Sequence, residues 1–158
     1  MELCEKIIKN QLFKKTLKKT KKAEKHRIFC RHGIEHLLDT ARIAYILSLE
    51  NSLDIDKDII YAAALLHDCG RFKQYEDSTP HEEAGAVIAR QILEQIDCEQ
   101  TTAELIINAV AEHRKGHCTS NLSRIIFEAD KASRMCLFCK AEKECNHSKT
   151  KKNMKIIY

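Results

Sequence analysis

Six ionisable side chains occur where the surrounding residues are mainly apolar: His36, His67, Asp68, His81, His113 and Asp130. Apart from the adjacent pair, each falls on a different predicted helix. One histidine on an apolar helix face is usually a hydrogen-bonded core residue, but five helices that each carry such a group indicate a shared site. Imidazole nitrogens together with carboxylate oxygens favour Mn, Fe, Co, Ni or Zn over Ca. Four such donors can hold one ion, and six can hold two ions bridged by a carboxylate and a water molecule.

The elements that must position these donors centre on residues 61–70, an almost wholly apolar run that ends in His67, Asp68 and Gly70. Its density of Ala and Leu favours a helix that is buried on all sides. Gly70 is expected in the left-handed conformation just past the helix end. Burying an unpaired carboxylate costs several kcal/mol, so Asp68 requires a neutralising partner. A divalent metal ion and a His–Asp hydrogen-bonded pair that caps the helix both meet this requirement.

Apolar residues recur at spacings of three and four around this run, which predicts further helices. We expect helices at residues 34–50, about 57–68, about 80–96, 100–114 and 121–136, with a helix or helix pair at 2–25. Thr79 is expected to cap the helix that Pro80 begins. Gly85 lies inside that helix, where it is unfavourable unless another segment approaches closely. The pattern predicts an all-α, single-domain helical bundle.

Composition supports the same class, since the 158 residues include only four Gly and one Pro. The net charge is +4, and seven lysines fall between Lys14 and Lys25. We therefore interpret the basic excess as one solvated helical segment, with phosphate or nucleic-acid attraction as the alternative. Nucleic acid is not expected as a partner, and no membrane span or signal peptide is expected. The eight cysteines are then expected to be reduced thiols in the cytoplasm.

Several of these segments resemble the HD superfamily of metal-dependent phosphohydrolases. The resemblance rests on His36 followed by LLDTA, on the phrase ALLHDCGR at residues 64–71, and on Asp130 within EADK. It covers about residues 26–135, and it implies that these form the HD domain, with residues 1–25 as a Lys-rich helical segment and 136–158 as a Cys- and Lys-rich tail. Residues 27–32 and the C-terminal cysteines resemble a small stand-alone group of bacterial HD proteins that is common in clostridia.

The resemblance implies that His36, His67, Asp68 and Asp130 bind one metal ion. His81 and His113 match the additional histidines of the two-metal subgroup, in which Asp68 would bridge both ions. Arg71 resembles the basic residue that contacts phosphate in the family, so Asp68 and Arg71 are the expected catalytic residues. Further substrate contacts are expected from the remaining basic groups near the helix ends: His32, Arg114 and Lys131. The family usually has an aliphatic residue where this chain has Cys69.

The C-terminal segment carries a separate metal-like pattern of Cys136, Cys139, Cys145 and His147. Four soft donors within twelve residues suit tetrahedral zinc. An iron–sulfur cluster is a second interpretation. The third is that Cys136 and Cys139 are small core residues at the end of the last helix. The spacing alone leaves the three open.

The function expected from the resemblance is hydrolysis of a small phosphorylated compound, for which we expect a nucleotide. Metal-activated water would attack phosphorus, in a phosphomonoester or a phosphodiester. One or two ions of Mn, Fe, Co, Ni or Zn would serve, and Mg is also permitted. Two alternatives remain at this stage: a di-iron oxygenase of the HD type, and a non-catalytic helical module that senses a nucleotide or a metal. A homodimer is compatible with the sequence.

Overall fold

The computed structural model describes residues 1–158 and is built from α-helices, with no β-strand. The eight helices are Glu2–Lys9 (α1), Gln11–Ala23 (α2), Ile34–Glu50 (α3), Lys57–Leu66 (α4), Arg71–Asp77 (α5), His81–Gln95 (α6), Gln100–Glu112 (α7) and Asn121–Ala132 (α8). Two short 3-10 turns follow at Cys136–Phe138 and Lys149–Lys151. The all-α prediction is confirmed. No helix has both the length and the apolar character needed to cross a bilayer.

Helix α4 lies at the centre of the bundle and packs against α1, α3, α7 and α8. Its residues 62–66 are all buried, and Leu66 has no exposed surface. The three alanines at 62–64 let the neighbouring helices approach closely. The prediction that the apolar run is buried on all sides is confirmed for residues 62–70, although the regular helix stops at Leu66, before His67 and Asp68.

The prediction for Gly70 was wrong, because its φ is −86° and its conformation is not left-handed. A Cβ atom at Gly70 would lie 2.3 Å from the backbone nitrogen of Gly85 and 2.4 Å from the carbonyl oxygen of His81. The glycine is thus required by tertiary contact and not by backbone conformation. The expectation that another segment approaches Gly85 closely is confirmed, since that segment is the turn between α4 and α5.

Local details around α5 and α6 also differ from the sequence-based expectation. Helix α5 was not predicted, since its seven residues are too few to show a periodic pattern. Helix α6 begins at His81 with Pro80 as its cap residue, so Thr79 is not the cap. Thr79 instead donates from its backbone nitrogen and its hydroxyl to Asp77. The short helix and this turn bring His81 back against the end of α4.

Both terminal segments pack on the central helices. The carboxylate of Asp58 in α4 accepts hydrogen bonds from the backbone nitrogens of Leu3 and Cys4. At the other end, the side-chain amide of Asn153 donates to the carbonyl oxygens at the end of α8: Lys131, Ala132 and Arg134.

Candidate metal centre

Five elements converge beside the C-terminal end of α4. Helix α3 carries His36, the turn after α4 carries His67 and Asp68, and α8 carries Asp130. The remaining two donors lie at a helix start and a helix end: His81 opens α6, and His113 is the C-terminal cap of α7. His67, Asp68, His81 and His113 are buried. The structure thus brings together all six residues that the sequence singled out.

One group of donors lies on the α3 and α8 side of Asp68. His36 Nε2 and His67 Nε2 are 3.2 Å apart. Asp68 Oδ2 lies 3.4 Å from the first nitrogen and 3.3 Å from the second. Asp130 Oδ1 completes the group at 3.5 Å from His36 Nε2 and 4.0 Å from His67 Nε2.

A second group lies on the α6 and α7 side of the same carboxylate. His81 Nε2 and His113 Nε2 are 3.1 Å apart. Asp68 Oδ1 lies 3.3 Å from His81 Nε2 and 3.7 Å from His113 Nε2. The two oxygens of Asp68 therefore face different histidine pairs.

These separations match the spacing of ligands around a transition-metal ion. Two donors about 2.1 Å from one ion, at angles of about 90–110°, lie roughly 3.0–3.4 Å from each other. Most distances in both groups fall in or close to that range. A carboxylate that offers one oxygen to each group has the geometry of a bridging ligand.

Hydrogen bonds to the outer nitrogens decide which imidazole nitrogens face the centre. His67 Nδ1 lies 2.6 Å from the carbonyl oxygen of Ala64, and His113 Nδ1 lies 2.6 Å from that of Val110. A carbonyl oxygen only accepts, so both Nδ1 atoms carry the proton. When each ring is neutral, its Nε2 atom offers a lone pair directed at Asp68.

The other two histidines are oriented in a similar way by side chains. The Ser133 hydroxyl donates to the carbonyl oxygen of Asp130 at 2.9 Å, so it accepts from His36 Nδ1 at 3.2 Å. Gln74 Oε1 lies 2.7 Å from His81 Nδ1 and favours the same tautomer. Arg71 Nη1 donates to Gln74 Oε1 at 3.3 Å and lies 2.9 Å from His81 Nδ1, to which it cannot donate when that nitrogen carries the proton.

The donor set therefore fits a bound cation. Unprotonated Nε2 atoms about 3 Å apart cannot hydrogen-bond to each other, because each offers only a lone pair. A pair of divalent ions would satisfy these lone pairs and both oxygens of Asp68. A simple His–Asp cap, the alternative left open by the sequence, accounts for one histidine but not for four.

The electrostatics of the two carboxylates agree with this reading. Burial alone would raise the pKa of Asp68, but the nearby His67 and His32 and the hydrogen bonds from His113 and His36 hold that pKa well below its usual range. Asp130 also has a lowered pKa, because the opposing effect of burial is outweighed by Lys131 and His67. Both side chains are thus ionised at neutral pH. His81 has its pKa lowered to about 3, chiefly by burial, and stays neutral.

Arg71 lies at the edge of the centre and is mostly buried, with 14% of its side chain exposed. Its Nη1 contacts His81 and Gln74, and its Nε lies 3.9 Å from Glu24 Oε1. Glu24 is 2% exposed and accepts from His32 Nδ1 at 2.5 Å and from the Tyr75 hydroxyl at 2.8 Å. A buried carboxylate from the N-terminal segment therefore sits behind the basic side of the centre.

The remaining sequence-predicted contacts lie at different depths. The His32 ring packs edge-on against the His36 ring, with centroids 5.3 Å apart. Lys131 contacts the Asp130 carboxylate and donates to the carbonyl oxygen of His113 at 3.0 Å, so its charge is already engaged. Arg114 is about half exposed, and its Nη1 lies 3.6 Å from Glu82.

The C-terminal donors are arranged differently from the central six. No three among Cys136, Cys139, Cys145 and His147 have ligand atoms within 4.8 Å of one another. His147 Nδ1 lies 3.3 Å from Arg134 Nη1. Zinc binding by this segment stays a prediction.

Sequence reasoning missed three polar residues that support the donors: Ser133 behind His36, Gln74 behind His81, and Glu24 behind His32 and Arg71. A hydrophobic pattern carries no signal for such residues. The Ser133–His36 contact spans 97 positions and the Tyr75–Glu24 contact spans 51. Only the position of Ser133, one helical turn after Asp130, could have suggested a supporting role.

Comparison with known proteins agrees with the geometry. A family model described as HD domain matches residues 33–135. An uncharacterized protein of Clostridium beijerinckii is 44% identical over 142 residues, which cover 90% of each chain. Ribonuclease Y 1 of Pediococcus pentosaceus is 31% identical over 83 residues, covering 52% of this chain but 14% of that protein. A crystal structure described as a predicted HD superfamily hydrolase, from an uncultured Thermotogales bacterium, matches with a TM-score of 0.64 and 21% sequence identity. The match covers 89% of this chain and 81% of the chain in that crystal structure.

The chain belongs to the HD domain family. The likeness to the solved structure concerns the fold, and it confirms a helical bundle of the HD type. The clustered His and Asp donors of this family member are consistent with binding of a divalent metal ion. The donor chemistry is that of a divalent-metal centre.

Proposed function

We propose that this chain hydrolyses a phosphoester bond in a small phosphorylated compound, with a nucleotide as the expected substrate. His36, His67, Asp68 and Asp130 would hold one divalent ion, and His81, His113 and Asp68 a second. The observation that carries the proposal is that Asp68 presents one oxygen to each histidine pair. When bound, such ions lower the pKa of a coordinated water molecule toward neutrality and offset phosphoryl charge.

The chain's own side chains have distinct parts in this proposal. Asp68 fixes the separation of the two donor groups, because both of its oxygens are engaged and its side chain is buried. Ser133, Gln74 and the carbonyl oxygens of Ala64 and Val110 hold the protons of the outer nitrogens, which keeps each Nε2 available. Orienting partners of this kind usually change metal affinity 10–100-fold when removed.

Arg71 is the proposed phosphate contact. Its guanidinium lies next to His81, and its Nε has no hydrogen-bond partner although it is buried. A planar cation beside the metal centre suits the non-bridging oxygens of a phosphate group. His32 would bind the substrate from the α3 side, held there by Glu24. Arg114 is proposed as an outer contact, and Lys131 as a residue that orients Asp130.

The experiment is a screen of the purified chain against phosphomonoesters and phosphodiesters, with Mn, Fe, Co, Ni, Zn or Mg added. Asp68→Ala should lose metal and turnover while keeping its helical circular dichroism. Arg71→Ala should keep its metal and lose about 100-fold in kcat/KM, as expected for one charge-stabilising contact. Arg90→Ala is the matched control, because Arg90 pairs with Glu104 on the surface.

Three outcomes would redirect the assignment. Full turnover by Asp68→Ala would exclude the proposed centre as the catalyst. Activity that requires iron and molecular oxygen would identify the di-iron oxygenase alternative. Tight nucleotide or metal binding without turnover under any metal would identify the sensing module instead.

A further inference from the structure

The positive charge of this chain is segregated outside the part that matches the HD domain. Residues 1–33 and 134–158 together carry 18 Lys and Arg against 5 Asp and Glu. Residues 34–133 carry 9 Lys and Arg against 18 Asp and Glu. The lysine run at residues 14–25 is therefore only part of a larger imbalance that includes the C-terminal tail.

The fold brings part of both basic flanks together. The loop after α2 faces the C-terminal segment across an open groove of about 630 Å³. We name it the flank groove, and its basic and apolar walls comprise His26, Arg27, Ile28, Phe29, Arg31 and Lys140. One acidic residue, Glu144, also lines it. The groove combines four basic side chains with an apolar wall.

The arginines of the flank groove are positioned by backbone atoms and not by carboxylates. Arg27 Nε donates to the carbonyl oxygen of Cys30 at 2.7 Å. Arg31 donates to the carbonyl oxygens of Arg27 and Lys25 at 3.2–3.4 Å. These bonds hold the guanidinium groups in place while leaving their charge uncompensated.

More cations lie close to the same groove. The pKa of His147 is lowered by partial burial and by the positive charges of Arg134, Lys151, Lys152 and Arg27. Lys152 pairs with Glu142, whereas Arg134 donates to His147 Nδ1 and to the backbone carbonyl oxygen of Lys151. Such a concentration of like charge is unfavourable in the free protein and attracts a polyanion.

The flank groove is linked to the metal centre through neighbouring residues of the chain. Arg31 is followed by His32, whose ring packs on the His36 ring. On the opposite side, Arg134 follows Ser133, whose hydroxyl contacts His36 Nδ1. A chain of phosphates that extends from Arg31 past His32 would therefore approach the proposed catalytic ions.

We propose that the flank groove binds a short single-stranded oligonucleotide, with one of its phosphates at the metal centre. Ile28 is 65% exposed and Phe29 is partly exposed, so both offer apolar surface to bases. Single strands are bound by such grooves, which follow the backbone with cations and stack bases on aromatic rings. The orientation of the strand rests on the proposed function, whereas binding itself does not. The sequence-based expectation of no nucleic-acid partner considered only the lysine run.

The test measures the fluorescence anisotropy of a labelled single-stranded RNA of about 12 nucleotides, a length within the usual site size. Metal-free full-length protein in EDTA is used, so that binding is measured without cleavage. The triple variant Arg27→Glu, Arg31→Glu, Lys140→Glu should bind at least 30-fold more weakly. Its salt dependence should also flatten, by a slope of about 2 for three lost phosphate contacts.

The matched control reverses three exposed lysines of α2 that lie outside the groove: Lys14→Glu, Lys15→Glu and Lys18→Glu. It has the same net charge as the groove variant and should bind within about threefold of wild type. Equal losses in the two variants would overturn the proposal, because attraction would then follow net charge. Absence of RNA binding by wild type would overturn it as well. Lys140→Glu alone, at an exposed position, provides the comparison if the triple variant unfolds.

Two further arms identify the ligand. Inorganic polyphosphate of similar length should bind at least tenfold more weakly than RNA, and Phe29→Ala should remove most of that difference. Equal binding of polyphosphate would overturn the assignment to an oligonucleotide. The screen with small phosphoesters is independent of these measurements, so failure of the groove and failure of the proposed hydrolase are distinguishable.

Discussion

Gly70 and Gly85 lie where α6 approaches the end of α4, but alanine is expected to have different effects at the two positions. A Cβ at Gly70 would lie 2.3 Å from Gly85 N and 2.4 Å from the His81 carbonyl oxygen. Both obstacles are backbone atoms, which no side-chain rotation can remove. Gly70→Ala must therefore displace α6, and with it His81, from the turn that holds Asp68.

The magnitudes follow from the same contacts. A normal van der Waals contact is about 3.5 Å or longer, so Gly70→Ala requires a backbone shift of about 1 Å. Overpacking of this kind costs about 3 kcal/mol, a substantial part of a typical domain's stability. The φ of −86° is allowed for alanine, so backbone strain adds nothing. In Gly85→Ala the one tight contact is a methyl group of Val110 at 3.2 Å, since the nearest backbone atoms lie at 3.6 Å. The substitution gains about 1 kcal/mol of helix propensity, so we expect a change in stability within about 1 kcal/mol of zero.

Urea unfolding of the metal-free variants measures both changes in the free energy of unfolding. Elemental analysis after Mn loading measures how much metal each variant retains. Gly70→Ala should lose the ion that His81 helps to bind, whereas Gly85→Ala should retain it. A Gly70→Ala variant with wild-type stability and wild-type metal content would refute the close-approach argument.

Two other predictions concern buried ionisable groups. Glu24→Gln should lower the free energy of unfolding by about 1–2 kcal/mol, because an amide cannot accept equally well from both the backbone nitrogen and Nδ1 of His32. The control Glu104→Gln, in an exposed ion pair, should change the free energy of unfolding by less than about 0.5 kcal/mol. The metal-free protein should lose stability as the pH falls below 6.5, since His81 has a folded pKa of about 3 and takes up a proton more readily when unfolded. That contribution is about 1–2 kcal/mol between pH 7.5 and 5.

Denaturant titrations, which measure the free energy of unfolding, test both predictions. Similar effects of Glu24→Gln and Glu104→Gln would contradict the buried network behind Arg71. For the pH effect, His81→Gln should lose less stability on acidification than the wild type. Identical pH profiles of the two proteins would show that His81 is not held neutral in the fold.

The sequence predicted the central helix and the six donors because each donor interrupts an apolar pattern. His67 and Asp68 follow a buried run, and His113 and Asp130 lie on apolar helix faces, so their placement is a property of single helices. The conformation of Gly70 could not be read in this way. A glycine after a helix usually indicates a left-handed residue, whereas here the requirement comes from a helix that begins eleven residues later.

Long-range polar contacts were also beyond the sequence pattern. Gln74 lies on α5, which is too short to show a period, and its role depends on the return of α6 beside it. Glu24 looked like one acid in a lysine-rich stretch, yet it is 2% exposed. The C-terminal cysteines differ from the central donors. Their CxxC spacing at Cys136 and Cys139 is typical of a metal site, but no three donors of the C-terminal segment lie within 4.8 Å of one another.

The central claim is that one carboxylate joins two donor groups, and counting bound ions tests it most directly. After loading with Mn and removal of free metal, the wild type should retain two ions per chain, with an electron paramagnetic resonance spectrum that shows magnetic coupling between them. His113→Ala should retain one uncoupled ion, and Asp68→Ala should retain neither tightly. A wild type that holds only one ion, or an Asp68→Ala variant that keeps two coupled ions, would contradict the account.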